Sequence, residues 1–595
     1  MHFSRTARSI VLCSTALTLT CCSAFAHIPF PKRSIAKPTS ALNIQKRANQ
    51  RTNYNRASWQ SNASSASSST SIMSSTSTTV SSSFGTLVPK EETNVPAFLK
   101  AHPEYNGKNV TIGILDTGCD VGAIGLQSLP GGTGTKLVDT HDCTGGNDVD
   151  VSEATAKWVD GEDGAKGWWE VEGLSGRTLK LNPDWNIGAF PAAADEKDDK
   201  VEKDEKEPAE ETKDDTEKDT KTVKIRLGIK CAYELYPSKA VLNRVKSERS
   251  KQFQSSQRVH AASLRAKLEA FTQKNSGDLT PALLKQKQDW EYQLELLELN
   301  EDKMKEWADP GPLYDCIVYY DEETKDYRGI VDTSETGDLT RKSSLAPFGT
   351  YQEYGTFGIV DRFNYALQIY DEGTVLSIVA DAGAHGSHVA GIAAAHHPTN
   401  SLDDGVAPGA RVVSLKIGDT RLGSMESMPG LYRALLLAIK LKLDVINLSY
   451  GESVHEVNRG KFVELANEMV LKHGITFVSS AGNNGPALTT VGAPGGSCEH
   501  ILSIAAHVSK DMMGTLYSLK EEEDTDGATF TWSSVGPAMD GANGVTLTAP
   551  GGAVTCVPNW TLQRCMLMNG TSMSSPHAAG CVALLISACK ANDIP

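Results

Sequence analysis

From about residue 370 onward, short apolar runs alternate with longer stretches of helical periodicity. Residues 412–417, 444–449, 475–480 and 501–506 read as short buried strands. Helical spacing at 429–440, 456–473 and 572–590 separates or follows them. This is the βαβ rhythm of a mostly parallel sheet with helices on both faces. Far upstream, Val110-Thr-Ile-Gly-Ile-Leu-Asp116 is a continuous apolar run that ends in an acid, then Thr117 and Gly118. A strand buried on both faces has that character. Parallel strands bring their ends to one edge of the sheet, where reactive groups collect.

Between 121 and 375 the rhythm changes. Residues 239–307 carry apolar positions at helical spacing among Lys, Gln and Glu, with Leu264, Leu268 and Phe271 before a break and Leu283, Trp290, Leu294 and Leu297 after it. The break at Ser276-Gly277 predicts a turn between two antiparallel helices, a hairpin suited to packing or assembly. Residues 316–320 and 358–363 read as short strands beside it. Residues 195–221 hold fourteen acids and seven lysines with almost no apolar side chain. Such a composition cannot bury a core and reads as a solvated, disordered insert. It lacks the glycine and ligand spacing of a calcium loop.

The first 90 residues are different again. They contain no acid, and residues 57–83 are rich in serine. A moderately apolar run, 9–26, follows Arg5 and Arg8 and ends in Ser23-Ala24-Phe25-Ala26, as a cleavable signal peptide does. The Arg-rich, Ser-rich segment after it reads as a transit peptide. Together they resemble the two-part targeting signals of complex algal plastids, with the cytoplasm as the alternative. The domain reading is a leader over 1–89, a first piece of a catalytic domain over 90–120, an insertion over 121–374, and the rest of the catalytic domain over 375–595.

Composition narrows the function. A chain of 595 residues exceeds one typical domain. Its net charge of −15 argues against a nucleic-acid partner. Of twelve cysteines, Cys13, Cys21 and Cys22 lie in the leader, and an odd remainder without framework spacing argues against a disulfide-built scaffold. Beyond the leader no run reaches the ~20 apolar residues of a membrane span. No metal or cofactor is expected.

Four strings carry candidate chemistry. Gly570-Thr-Ser572-Met-Ser-Ser-Pro576-His-Ala-Ala-Gly580 sets a serine in a tight turn ahead of an apolar helix, with a proline suited to a first turn. The positive field of a helix N-terminus favours a nucleophile there. His385-Gly-Ser-His388-Val-Ala-Gly391 opens a second small-residue helix, and Asp116 closes the upstream strand. Phe477-Val-Ser-Ser-Ala-Gly-Asn483-Asn484-Gly485-Pro486 supplies an amide after a strand, suited to donate to a developing oxyanion. Plainer roles fit the neighbours. His385 and His388 stand at i, i+3 without the acid of a metalloprotease pattern. His388 reads as a packed helix residue, Asp120 and Asn484 as turn residues, and Cys119 as a packed thiol.

The order Asp116, His385, Ser572 is that of the subtilisins. With Asn483 the strings resemble the subtilisin-like serine proteases. Lys416-Ile-Gly-Asp-Thr-Arg-Leu422, Asn447-Leu-Ser-Tyr-Gly-Glu452, Ser480-Ala-Gly-Asn-Asn-Gly-Pro486 and Leu567-Met-Asn-Gly-Thr-Ser-Met-Ser-Ser-Pro576 extend the resemblance to the tripeptidyl peptidase branch, as does the long insertion between acid and histidine. The resemblance implies an α/β, subtilisin-like three-layer fold with a mostly parallel sheet. It also implies a serine exopeptidase that releases tripeptides from free N-termini through an acyl-enzyme. Asp116 would orient His385 as general base, Ser572 would attack, and Asn483 would meet the oxyanion. Glu426 and Glu452 match the carboxylates that clamp the substrate's ammonium, and Ser449, Tyr450 and Gly451 match the edge of the substrate cleft. Peptides with free N-termini are the expected partners, together with self-assembly. The chain ends 23 residues beyond Ser572, which reads as a truncated catalytic domain. A general subtilisin-type endopeptidase and an inactive fragment are the alternatives.

Overall fold

The computed structural model describes residues 87–161, 166–191, 221–303, 309–451, 456–519 and 527–594. Residues 1–86 of the leader, residues 195–220 of the acidic tract, and Glu452 lie outside them. Seven strands form the centre: β1 (Thr111–Asp116), β2 (Leu137–Asp142), β3 (Arg411–Lys416), β4 (Val445–Leu448), β5 (Thr476–Ser480), β6 (Leu502–Val508) and β7 (Leu547–Pro550). Their spatial order is β2-β3-β1-β4-β5-β6-β7, and every neighbouring pair is parallel. A short strand, Ala528–Thr529, pairs antiparallel with the end of β6. The helices that matter here are α1 (Lys239–Lys274), α2 (Pro281–Lys303), α3 (His385–Ala394), α4 (Met428–Lys440), α5 (Lys461–His473) and α6 (Thr571–Ala591).

The strands are apolar without alternation because both faces are covered. Ile112 and Ile114 of β1 pack in one cluster with Val389 and Ala393 of α3 and Ala579 and Ala583 of α6. Leu115 faces the other way, into a cluster with Leu415, Leu431 and Leu435 of α4, and Val463 and Met469 of α5. The result is the subtilisin-like sandwich of helices, sheet and helices. Each large side chain fully buried in it contributes roughly 1.5–3 kcal/mol. Among the described residues, α6 is the one helix long and apolar enough to cross a membrane. Here it is a core helix, with Ala578, Ala579, Ala583 and Leu584 buried. Its Gly580 permits the crossing with α3. A Cβ at that position would stand 2.6 Å from Cβ of Val406 and 2.9 Å from the carbonyl oxygen of Ala393.

Two expectations need correction. Residues 121–374 are not one inserted block, because β2 returns from within them to the edge of the central sheet beside β3. Residues 358–363 form a turn and not a strand. Arg362 takes a left-handed φ of 51°, Asp361 caps the turn by accepting from the N–H of Phe363, and Ile359 is 92% exposed. The strand begins only at Asn364.

The remainder of 148–379 builds two further sheets. One joins Asp148–Asp150, Val375–Val379, Asn364–Tyr370 and Gly355–Thr356. The other has seven strands, with Thr222–Cys231 next to Leu313–Asp321 near one edge. Helices α1 and α2 form the connection between those two neighbouring strands. Ser238 caps α1 by accepting from the N–H of Val241. Phe271 and Trp290 meet edge to face at 5.7 Å where the helices pair, and Arg265 bridges to Glu298.

His577, on the buried face of α6, gives a test of this packing. Burial, reinforced by the charge of Lys90, pushes its pKa down to about 3, whereas an unfolded histidine titrates near 6.5. Between those values the unfolded chain binds a proton that the folded chain refuses, so stability falls as pH falls. Replacement His577→Gln should make the stability curve shallower by about 1.4 kcal/mol per pH unit between about pH 6 and pH 4. Urea unfolding across that range measures it, and equal slopes for the two proteins would refute the buried neutral histidine.

Candidate active site

Asp116 closes β1 with its side chain fully buried. The N–H of Thr117 donates to its Oδ1 at 2.7 Å. Nδ1 of His385 lies 2.8 Å from Oδ1 and 2.9 Å from Oδ2, so the imidazole is bound by both oxygens. His385 is the first residue of α3, and about 30% of its side chain remains exposed. Burial works to lower its pKa, but the charge and the hydrogen bond of Asp116 outweigh burial and hold it above the ordinary value. Thr117 stitches the strand end to the histidine turn. Its Oγ1 accepts from the N–H of Gly386 at 2.9 Å and donates to the carbonyl of Gly383 at 3.0 Å. A side chain at Gly386 would collide with the carbonyl of Gly118, itself a glycine at φ 94°. The paired glycines let the two segments touch.

Ser572 is the second residue of α6, which starts directly after Gly570. The helix begins earlier than the proline suggested, and Pro576 sits inside it. A proline there has no N–H for the carbonyl four residues back, which is that of Ser572. The hydroxyl of Ser449, just past β4, fills the gap by donating to it at 3.1 Å. In return the Ser572 hydroxyl donates to the carbonyl of Ser449 at 3.2 Å. Asn447 Nδ2 donates to Ser449 Oγ, which also meets Ser575 Oγ, each at 2.9 Å. Thus Asp116 and His385 are hydrogen-bonded, while the hydroxyl of Ser572 rests on Ser449 and makes no bond to His385.

Asn483 follows β5 and faces the start of α6. Its Oδ1 accepts from both the N–H and the hydroxyl of Thr571, each at 2.9 Å. With the acceptor engaged, Nδ2 is the end of the amide left to donate. Thr571 and Thr117 therefore orient the amide and the histidine, and neither stood out in the sequence. The only signal was adjacency, since each sits beside a candidate residue in Asp-Thr-Gly or Gly-Thr-Ser. Asn484 serves its turn through an N–H bond to Ser534 Oγ.

Tyr450 stands edge-on to the His385 ring at 6.2 Å and donates its hydroxyl to the carbonyl of Ser424. Burial, then the charges of Asp116 and Glu426, drive its phenol above the ordinary range. Glu426 lies on a short antiparallel pair, Gly418–Asp419 with Met425–Glu426. It borders a cavity of about 270 Å³ together with Leu431, Tyr450, Gly451, Arg459 and Phe462.

The neighbours of these groups have structural partners. His388 is fully buried, with Nε2 3.0 Å from the carbonyl of Met566, and burial holds its pKa down at about 4. Asp120 accepts from the N–H groups of Gly122 and Asn559 and from Nδ2 of Asn364. The Cys119 thiol is buried against the carbonyl of Gly386, and burial drives its pKa upward.

The profile of the Subtilase family matches residues 270–592, more than half of the chain, a span that holds His385, Asn483 and Ser572. The chain is similar to tripeptidyl-peptidase 2 of Arabidopsis thaliana, with 41% identity over 519 residues that cover 87% of this chain and 34% of the relative. It is also similar to tripeptidyl-peptidase 2 of Drosophila melanogaster, with 38% identity covering 86% of this chain and 33% of the relative. A crystal structure of tripeptidyl peptidase 2 superposes with a TM-score of 0.56 at 31% identity, covering 85% of this chain and 34% of that one. The chain thus spans about a third of the length of the relatives it matches. By fold, by profile and by these relatives, the chain belongs to the subtilase family of serine proteases.

Proposed function

We propose that this chain carries the catalytic domain of a serine exopeptidase that releases tripeptides from the free N-termini of oligopeptides. The observation that carries this reading is the position of Glu426. Glu426 borders the cavity that Tyr450 and Gly451 share, and the Tyr450 ring in turn stands edge-on to His385. An ammonium held at Glu426 is then a short peptide's reach from Ser572. The names of the longer relatives point the same way.

In the mechanism, the Ser572 hydroxyl leaves the carbonyl of Ser449 and passes its proton to Nε2 of His385 as it attacks the scissile carbonyl. Asp116 keeps the proton on Nδ1 and stabilises the imidazolium. Nδ2 of Asn483 and the N–H of Ser572 receive the oxyanion. His385 then protonates the departing amine, and water hydrolyses the acyl-enzyme by the same route in reverse. Glu426 and Glu452 bind the substrate's ammonium, a buried cation that needs compensating carboxylates. The edge Ser449–Gly451 supports the peptide backbone.

Hydrolysis of one reporter tripeptide, with its amine free and then acetylated, tests the reading. Turnover of the free form alone is expected. Equal cleavage of both forms would make the chain a general endopeptidase, and none by folded protein would make it an inactive fragment. Ser572→Ala should abolish turnover without moving the thermal midpoint. Glu426→Gln should raise KM for the free amine far more than for the acetylated form.

The base requires a neutral imidazole, so turnover falls as pH drops through the pKa of His385. That acid limb should lie above 6.5, the ordinary histidine value. Asp116→Asn should move the His385 titration, followed by NMR, to lower pH and reduce kcat by about 10⁴-fold. Asn483→Ala should raise the barrier by about 2.7–4 kcal/mol. A kcat unchanged in either variant would remove that residue from the mechanism.

A further inference from the structure

Just upstream of a short helix, Val95–Ala101, residues 87–93 make four tethers to the layer that holds α3 and α6. Leu87 exchanges N–H···O bonds with Val554 at 2.6 and 2.8 Å. Val554 belongs to the strand Gly552–Cys556, which lies against α3. The ammonium of Lys90 donates to three carbonyls of one short segment, those of Ser401 at 3.4 Å, Leu402 at 3.3 Å and Asp404 at 2.7 Å. Ser509 donates its hydroxyl to Glu92. Thr93 Oγ1 donates to the carbonyl of Lys90 and lies 2.8 Å from Nε2 of His577.

The two ends of this segment address different helices. The segment that receives Lys90 runs straight into Gly405–Ala407, whose N–H groups satisfy the carbonyls of Ile392 and Ala393 in α3 and of Ala395 just past it, at 2.9 Å each. Asp404 also ties the loop down by accepting from the N–H of His397 at 2.6 Å. Three carbonyls, with the carboxylates of Asp403 and Asp404 close by, make a cation site that the chain fills from within. His577, the partner of Thr93, stands five residues past Ser572 on α6. Val88 is buried in the shared core between the helices. Across that core, α3 and α6 touch at Gly580 and Ala393 with no room for a side chain.

We propose that Leu87–Thr93 is a strap that positions the two catalytic helices against each other, with Lys90 as a captive cation in the segment that leads into the cap of the His385 helix and Thr93 as the anchor on the Ser572 helix. Lys90 and Thr93 are thus positioning residues. The catalytic part of this inference rests on the serine-protease reading, whereas the mechanical part does not.

Amide exchange read by mass spectrometry on the full chain, with fluorophosphonate labelling of Ser572, separates the two. In Lys90→Met, which keeps the apolar stem and loses the charge, exchange at residues 405–407 and in the first two turns of α6 should quicken about tenfold, the scale of one lost charge-assisted bond. Exchange in α4 and α5 should stay at its native rate, and labelling should slow by a similar factor. In Lys90→Ala, added propylammonium should restore slow exchange, and tetramethylammonium at equal ionic strength should not. Native exchange in Lys90→Met would overturn the strap, as would acceleration spread equally over α4 and α5. The localised change with a wild-type chain that takes no label would leave the strap standing and overturn the protease reading.

Discussion

A carboxylate removed entirely from water, as Asp116 is, costs several kcal/mol unless hydrogen-bond donors and positive charge surround it. At the end of β1 the backbone supplies one donor, the N–H of Thr117. The other comes from His385, 269 residues further along the chain. Every element between them must leave the sheet edge and return to it within hydrogen-bond tolerance. Three devices near the junction enforce the return. Thr117 bonds to both Gly383 and Gly386, the N–H of Ala382 donates to the carbonyl of Thr117 at 2.7 Å, and Gly118 with Gly386 removes the side chains that would hold the segments apart.

The same reasoning accounts for what was legible in the sequence. Strands β3 to β6 stood out because burial on both faces leaves an unbroken apolar signature, and their observed limits differ from the reading by one or two residues. Strand β2 escaped because only Leu137 and Val138 are apolar. Its polar residues are satisfied by partners distant in sequence. Gln368 donates to Asp139, Tyr370 bonds to His141, and the buried ammonium of Lys416 reaches Asp142 at 2.7 Å. Residues 358–363 erred in the opposite direction, since Ile359 and Val360 are apolar but point to water. Periodicity reports hydrophobicity, and both cases turn on where the hydrogen bonds go.

At the candidate site, Asp116, His385, Asn483 and Ser572 were visible as uncommon strings in a definite order. The groups that orient them were not, because Thr117, Asn447, Thr571 and Ser575 are ordinary polar residues whose roles exist only after folding. Pro576 is the instructive case. In the sequence it looked like a helix opener. In the structure it withholds one N–H, and the carbonyl thereby freed is the point at which Ser449 grips the backbone of Ser572. A missing donor has become the attachment between a strand end and the helix that carries the serine.

The register of β1 has a further consequence, for synthesis. Its two neighbours in the sheet begin at Arg411 and Val445, so Thr111 pairs with a residue 300 positions downstream. At ribosomal rates of about 5–20 residues per second, roughly 15–60 s separate the emergence of β1 from that of its first partner. Throughout that interval a largely apolar strand, tipped by an acid that will later be buried, lacks the neighbours it pairs with. The N-terminal piece of the central domain is therefore a waiting segment during translation, exposed until its partner strands emerge.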